Sequence, residues 1–202
     1  MITEPEDKKI ALKIQSVKKL YHGSDQRFNK IDLDCARPFK DFGKGFYLTT
    51  EVRQAQKWAQ NKATRKAKAY IYSYRLNIKE NLEKLQEVKI LELLQYDKSW
   101  LDFISKSRID GFETDHDIIY DRMADNNYDN ISDILKKYMA GKIEVKDVIK
   151  KLQWSDAADQ YCFKTDRAIS LLTFDQTYVL SKNEKGLWTK PQLLVEKGEV
   201  GA

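Results

Sequence analysis

The sequence predicts an α+β fold in which short strands are separated by helices of unequal length. Two segments are the best evidence: alanines recur at helical spacing over residues 52–67, and three tyrosines alternate along the β-like run 69–76. The chain has 202 residues, of which 42% are hydrophobic and 33% charged, so it holds enough apolar material for a folded core. Periodicity alone predicts nothing finer than α+β with a helical insertion.

The other elements follow from local patterns. Residues 1–19 have an ambiguous period and are predicted to be an N-terminal extension, followed by a single domain over 20–202. A loop over 25–45 leads into a strand at 45–50, whose last residue, Thr50, is expected to cap the alanine helix. Beyond residue 76 the predicted elements are a helical insertion at about 80–105, a strand at 116–123, two helices at about 131–152, a strand at 160–164, a helical turn at 166–172 and a terminal strand pair, 177–180 with 187–195.

Composition excludes several classes of protein. No window approaches the roughly eighteen apolar residues of a transmembrane helix, and the acidic first residues lack the apolar core of a secretory signal. The 2 cysteines, Cys35 and Cys162, form no C-x-x-C pair, which favours a cytoplasmic protein and excludes a disulfide scaffold or a four-thiolate zinc site. With 2 histidines, a multi-histidine metal centre is excluded as well, and no metal is expected.

The net charge of +5 is concentrated in one segment. Residues 51–68 carry six basic side chains and one acidic side chain, whereas residues 110–133 carry eight acidic side chains and one arginine. Two interpretations of the basic helix stay open: it contacts nucleic acid or phosphates, or it is simply a solvated face.

Three short motifs favour structural interpretations over functional ones. Asp125 begins a pattern like an EF-hand loop, but Asn130 and Lys136 replace the required glycine and glutamate, so a solvated loop is favoured. Residues 43–45, Gly-Lys-Gly, lack the further glycine or the G-K-[ST] ending of nucleotide-binding loops and are interpreted as a turn. The alternating strand pattern around Cys162 favours a buried structural thiol.

Three separated segments carry the strongest functional signal: residues 20–24 (LYHGS), 41–50 (DFGKGFYLTT) and 159–165 (DQYCFKT). Shorter matches lie between them, in order: Arg37-Pro38, Gln54-Ala55, 117–119 (DII) and 124–125 (AD). In this ordered combination the chain resembles the His-Tyr-Glu branch of the ADP-ribosyltransferase fold, and more closely a bacterial family of poorly characterised transferase-like domains. The resemblance covers roughly residues 19–175.

The resemblance implies an ADP-ribosyltransferase-like split β-sheet with helical insertions. It also implies an NAD-dependent mono-ADP-ribosyltransferase that takes NAD as substrate and releases nicotinamide. The implied catalytic residues are His22, Tyr47 and Gln160, and the implied donor-binding residues are His22, Gly23, Ser24, Arg37, Lys44 and Tyr47. Domains of this kind often serve as intracellular toxins or effectors held by a small antitoxin protein, which is the partner the resemblance implies. The acceptor, a protein or a nucleic acid, is not identified.

These residue types suit cleavage of NAD at the nicotinamide ribose, which develops positive charge on the sugar. His22 can hydrogen-bond a ribose hydroxyl, and the backbone of Gly23 can approach the carboxamide because glycine has no Cβ. Tyr47 offers a ring on which nicotinamide can stack, and Arg37 or Lys44 can neutralise pyrophosphate. Taken singly, Tyr47 is better interpreted as a core aromatic and His22 as a turn residue, but their combination favours the site.

Position 160 departs from the His-Tyr-Glu pattern because glutamine replaces the glutamate, as it does in the bacterial family. Its amide can hydrogen-bond ribose, but it carries no negative charge and cannot act as a base. Asp159 is expected on the opposite face of the strand, and Asp125 is a candidate surrogate carboxylate. Three options stay open: transfer to an acceptor that is already nucleophilic, help from another acid, or NAD binding without turnover.

Two alternatives to the transferase remain. In the first, the chain is a binding module for NAD-like ligands or nucleic acid that uses Tyr70, Tyr72, Tyr74 and the basic helix. In the second, it transfers phosphate from RNA to an NAD-like acceptor, although the basic residues that would hold the RNA phosphate are not identifiable.

Overall fold

The computed structural model describes residues 19–76, 87–122, 130–153 and 159–196. These residues form an α+β protein with eight strands and five α-helices, in which both parallel and antiparallel strand pairs occur. The described chain divides into two compact units. The first contains residues 19–31, 47–76, 87–88 and 167–196, and the second contains residues 32–46, 89–122, 130–153 and 159–166.

The first unit is built on antiparallel strands. They lie in the order β2 (Phe46–Thr49, with residues 47–49 in this unit), β1 (Leu20–Ser24), β3 (Lys68–Leu76), β7 (Leu172–Ser181) and β8 (Gln192–Glu196). The tyrosine strand predicted from the sequence is β3, which pairs over its whole length with β7 and through residues 70–74 with β1. The predicted strand at 45–50 is β2, and the terminal strand pair is β7 with β8.

Helix α1 (Val52–Lys62) packs closely on this unit's strands because its inner face is made of alanines. The fully buried residues at the contact are Ala55, Ala59, Ala63, Ala69, Ile71 and Leu180. Gly23 of β1 lies where the helix comes nearest. A Cβ atom there would overlap the carbonyl oxygen of Ala55 and lie 2.8 Å from the amide nitrogen of Ala59. Small side chains on both elements therefore set the distance between the helix and the strand.

Two details of this helix differ from the sequence prediction. It ends at Lys62 and not near residue 67, since the chain turns over 63–67 to enter β3. Its N-cap is Glu51 and not Thr50, and the Glu51 side chain makes no capping hydrogen bond. The Glu51 amide instead donates to Thr49 Oγ1 at 3.1 Å, so the threonine that caps the turn is one residue earlier.

The second unit combines three strands with three helices. Strand β5 (Ile118–Arg122) pairs in parallel with β4 (Ile90–Leu93) and antiparallel with β6 (Asp159–Phe163). The helices are α2 (Lys98–Ser105), which continues into a π-helical turn, α3 (Ile131–Met139) and α4 (Val145–Leu152). Their buried side chains include Trp100, Leu101, Ile104, Leu135, Val148 and Leu152.

The predicted helical insertion at 80–105 is wrong in its middle part. Residues 90–93 form strand β4, and the helix begins only at Lys98. The leucine spacing in this segment suits a helix, but the parallel ladder to β5 holds it extended, so tertiary pairing overrides the local pattern. The first part of the predicted insertion, 80–86, lies outside the described residues.

The other predicted elements are confirmed where the structure describes them. The strand predicted at 116–123 is β5, the strand at 160–164 is β6, the helices at 131–152 are α3 and α4, and the helical turn at 166–172 is α5 (Asp166–Ile169). The N-terminal extension, apart from Lys19, and residues 123–129 of the acidic segment lie outside the described residues. The single domain over 20–202 stays a prediction. No helix of the described chain is long and apolar enough to cross a membrane.

The packing at Gly23 gives the first testable prediction. We expect Gly23→Ala to lower the free energy of unfolding by about 3 kcal/mol, because the added methyl meets the backbone of α1 and not a flexible side chain. Gly141→Ala is the matched control, because the added methyl has no atom within 4 Å. Only the left-handed φ of 67° at this position strains the alanine, which lowers the free energy of unfolding by about 1 kcal/mol. Chemical denaturation measures both values. Equal losses for the two variants would contradict this packing account.

Candidate functional site

The predicted site residues fall in both units, and each group is described within its own unit. His22, Gly23, Ser24 and Tyr47 belong to the first unit, on β1 and β2. Arg37, Lys44 and Gln160 belong to the second unit. Arg37 and Lys44 are exposed on the loop that precedes β2, while Gln160 is buried in β6.

His22 is fixed by the backbone of the neighbouring strand. Its ring Nδ1 lies 2.7 Å from the carbonyl oxygen of Tyr47. Because a carbonyl oxygen only accepts hydrogen bonds, Nδ1 carries the proton and donates, and Nε2 is the acceptor nitrogen of the neutral ring. The register of β1 with β2 places Tyr21 opposite Thr49, so this side-chain bond joins the strands two residues before Thr49 on β2.

The surroundings of His22 favour its neutral form. Burial, followed by the charge of Lys62, lowers the pKa of the imidazole to about 3, although the bond to Tyr47 acts in the opposite direction. Lys62 is held nearby because its Nζ donates to the carbonyl oxygen of Gly23 at 2.8 Å. The site therefore presents a neutral imidazole of fixed tautomer beside a fixed positive charge.

The structure adds an aromatic pair that the sequence prediction missed. The ring of Phe28 stacks on Tyr72 with centroids 4.0 Å apart, and it meets His22 edge-on at 5.9 Å. The hydroxyl of Tyr72 accepts from the Phe28 amide at 2.7 Å, which anchors the loop. Phe28 lies in a loop without periodicity, and the register that places Tyr72 opposite His22 is not visible in the sequence.

One expectation for this unit needs correction, and two other residues have structural contacts of their own. Tyr72 and Tyr74 are 2% and 5% exposed, so they are core residues and not a stacking surface for a ligand. The space beside the Cα of Gly23 is filled by helix α1, so helix packing by itself accounts for a glycine here, and a contact of its backbone with a carboxamide stays a prediction. Ser24 Oγ accepts from the Gln26 amide at 3.1 Å and thus caps a turn.

In the second unit, the Gly-Lys-Gly segment is a locked turn, as the structural interpretation predicts. Gly43 has a φ of 72°, and a Cβ at this position would overlap the carboxylate of Glu113. Glu113 Oε1 accepts from the Lys44 amide at 2.8 Å. Lys164 Nζ, on a side chain that is nearly buried, donates to Glu113 Oε2 and to the Phe42 carbonyl at 2.6 Å each. The Lys44 amide is therefore bonded to a carboxylate of the same chain.

Two further contacts hold this loop. Arg108 donates to the buried carboxylate of Asp41 at the start of the turn. Gly45 packs against the sulfur of Cys162, which would overlap any Cβ at this position. Cys162 is fully buried, which confirms the structural interpretation of this thiol. Sequence reasoning missed Arg108, Glu113 and Lys164, because their partners are distant along the chain.

Gln160 is the buried polar side chain of β6 in this unit. It is 4% exposed, and among the described residues its Nε2 has no hydrogen-bond partner. The residue opposite it on β5 is Asp121, which is fully buried and accepts from Trp100 Nε1 at 2.8 Å. Cross-strand partners share one face of a sheet, so a carboxylate accompanies the amide. The carboxylate of Asp159 instead accepts from Tyr120 at 2.9 Å.

Other charged clusters do not suggest a metal centre in the part of the chain that the structure describes. There, no group of three or more histidine, cysteine, aspartate or glutamate side chains is arranged to hold an ion. Asp125, the candidate surrogate carboxylate, lies outside the described residues. Asp121 is a second carboxylate near position 160, and the sequence gives no signal for it without the register of β5 and β6.

The environment of His22 predicts its titration. In a His116→Gln variant, which leaves one histidine, we expect the His22 ring to stay neutral between about pH 5 and 8, with the proton on Nδ1 and none on Nε2. Since its pKa is lowered on folding, the unfolded chain binds the proton first, and the free energy of unfolding falls as the pH drops below 6.5. Nitrogen NMR of the ring measures its protonation and tautomer, and chemical denaturation at a series of pH values measures the free energy of unfolding. A midpoint near the usual value of 6.5 would contradict the account.

Comparison with known proteins gives a family but no activity. The model of a family described as "Protein of unknown function (DUF3990)" matches residues 18–174. No curated protein matches the chain. The likeness to ADP-ribosyltransferases thus stays a prediction from the motifs. Because the family match covers most of the sequence, this chain belongs to the DUF3990 family.

Proposed function

We propose that this protein is an NAD-dependent mono-ADP-ribosyltransferase. The observation that carries the proposal is the neutral His22 ring, whose tautomer is set by the Tyr47 carbonyl and which offers Nε2 as a hydrogen-bond acceptor. A ribose hydroxyl is a donor that matches this nitrogen. The same two residues, His22 and Tyr47, are those that the motif resemblance assigns to the NAD donor.

The proposed reaction is a substitution at C1′ of the nicotinamide ribose. The bond between C1′ and the nicotinamide nitrogen breaks, and its electron pair leaves with nicotinamide. An acceptor oxygen or nitrogen forms the new bond to C1′, and the proton of the acceptor passes to water. No oxidation or reduction is involved. The protein's task is to orient the ribose while positive charge develops on it.

Each residue has a proposed role in that task. His22 Nε2 accepts a hydrogen bond from a ribose hydroxyl, and the half-buried Tyr47 ring stacks on nicotinamide. Gly23 and Ser24 are proposed to contact NAD through backbone groups, because helix α1 fills the space beside the Cα of Gly23. The exposed side chains of Arg37 and Lys44 are proposed to neutralise the pyrophosphate.

Gln160 is proposed to orient the ribose through its amide. Its unpartnered Nε2 supports this role, because a buried amide nitrogen without a hydrogen bond costs about 1–3 kcal/mol that a ligand oxygen can recover. A neutral amide cannot remove a proton, so the acceptor must be nucleophilic already or another carboxylate must assist. Asp121, which shares a face of the sheet with Gln160, is the nearest candidate along the adjacent strand.

The finer fold and the cellular role are part of the same proposal. We propose the split β-sheet of ADP-ribosyltransferases, supported by β1 lying between β2 and β3 with the His22 side chain bonded to the β2 backbone. The motif resemblance also suggests an intracellular toxin or effector, with a small antitoxin protein as partner. A binding module without turnover is the second candidate, and the neutral Gln160 is the observation that favours it.

The test is transfer of radiolabelled ADP-ribose from NAD into a bacterial lysate. We expect His22→Asn to reduce labelling about 10- to 100-fold, which corresponds to one lost buried hydrogen bond. This variant keeps an N–H donor for the Tyr47 carbonyl but removes the acceptor nitrogen. Gln160→Ala should reduce labelling by a similar factor, since it removes the amide that is proposed to orient the ribose.

Two variants serve as controls for this assay. His116→Asn makes the same substitution at the other histidine and should label like the wild type. Cys162→Ala should retain labelling as well, because the buried thiol has no role in the proposed reaction. Full labelling in both His22→Asn and Gln160→Ala would contradict the transferase. NAD that raises the melting temperature without nicotinamide release would support the binding module.

A further inference from the structure

The largest concentration of positive charge in the first unit comes from two segments that are far apart in sequence. Residues 62–68 and 182–190 contribute seven basic side chains, which we call the basic surface: Lys62, Arg65, Lys66, Lys68, Lys182, Lys185 and Lys190. Glu184 is the only acidic residue in the two segments, so their net charge is +6 in a chain whose total is +5. All seven side chains are exposed except that of Lys182, which is half-buried.

The fold holds these two segments together. The Lys182 amide donates to the Ala67 carbonyl at 2.9 Å, and its Nζ donates to the Thr64 carbonyl at 2.6 Å. The same ammonium lies 5.0 Å from the centre of the Trp188 ring. Trp188 in turn packs against the buried alanine cluster of α1. The two segments therefore lie side by side, and their cations form one surface.

The basic surface reaches the candidate site. Lys62 Nζ donates to the carbonyl of Gly23, the residue after His22, and Lys66 pairs with Asp25 at 2.6 Å. Both contacts lie within three residues of His22 along the chain. A ligand bound along these cations as far as Lys62 would therefore lie beside the His22 imidazole.

We propose that the basic surface binds nucleic acid through its phosphate backbone. The surface stays strongly positive when Glu184 and Asp25, which pairs with Lys66, are counted against its seven cations, and this charge matches a ligand that carries a negative charge at every repeat. Leu187, 62% exposed, is the one large apolar side chain exposed in these two described segments, so the surface lacks the apolar centre of a protein interface.

The next step rests on the proposed transferase activity. If the basic surface binds nucleic acid beside His22, nucleic acid is the class of molecule that accepts ADP-ribose. An oxygen or nitrogen of the nucleic acid would form the bond to C1′, nicotinamide would leave with the electron pair, and the acceptor proton would pass to water. Label from NAD should then appear in the nuclease-sensitive fraction of a lysate.

Nucleic-acid binding is tested without NAD, so a negative result would contradict the binding proposal and not the transferase proposal. Fluorescence anisotropy measures affinity for single-stranded DNA, single-stranded RNA and duplex DNA oligonucleotides across a salt series. We expect the double variant Lys68→Glu with Lys185→Glu to weaken binding about tenfold or more at moderate salt. The slope of log affinity against log salt should become shallower by about 1.5, which corresponds to two lost phosphate contacts.

The matched control carries the same charge change elsewhere. Lys136 and Lys150 are exposed in the last turns of α3 and α4 in the other unit. The double variant Lys136→Glu with Lys150→Glu should leave the affinity within about twofold and the slope of log affinity against log salt unchanged. Thermal melting verifies that both double variants are folded. Equal losses in the two variants, no oligonucleotide binding by the wild type at low salt, or binding to anionic lipid vesicles but not to oligonucleotides would each overturn the proposal.

Discussion

The hydrogen bond between the His22 imidazole and the Tyr47 carbonyl is the interaction on which the candidate site depends. It couples a side chain of β1 to the backbone of β2, and it decides which ring nitrogen carries the proton. A carbonyl partner admits one tautomer of the neutral ring, so the acceptor face of the imidazole is fixed before any ligand binds. Burial and the nearby Lys62 charge then keep the ring neutral. The ring is thereby restricted to one hydrogen-bonding pattern, in which Nδ1 donates and Nε2 can only accept.

The rest of the first unit supports this arrangement through close packing. The alanines of α1 allow the helix to approach β1, and Gly23 is required at the point of nearest approach. That approach brings Lys62 to the carbonyl of Gly23, the residue next to His22, and the turn after the helix carries Arg65 and Lys66. The close contact between α1 and β1 therefore also places the Lys62 charge that, after burial, lowers the pKa of His22. In the second unit, Lys164 and Arg108 similarly fix the turn that presents Lys44.

The sequence predicts the elements whose patterns are local and misses contacts that depend on register. Strand β3, helices α3 and α4, and the buried Cys162 follow from periodicity and alternation. Strand β4 was not predictable in this way, because its partner β5 supplies the reason for its extended form. The pairs Phe28 with Tyr72 and Asp121 with Gln160 depend on strand registers that no single segment encodes. Motif order identifies His22 and Gln160 as candidates, but not what surrounds them.

The most direct test of the central claim is the stoichiometry of the reaction. The purified protein is incubated with NAD and a bacterial lysate, and free nicotinamide and acceptor-bound ADP-ribose are quantified in the same sample. The account predicts that the two products appear in equal amounts and that both depend on His22. NAD that stays intact, or nicotinamide release that persists unchanged in His22→Asn, would contradict it.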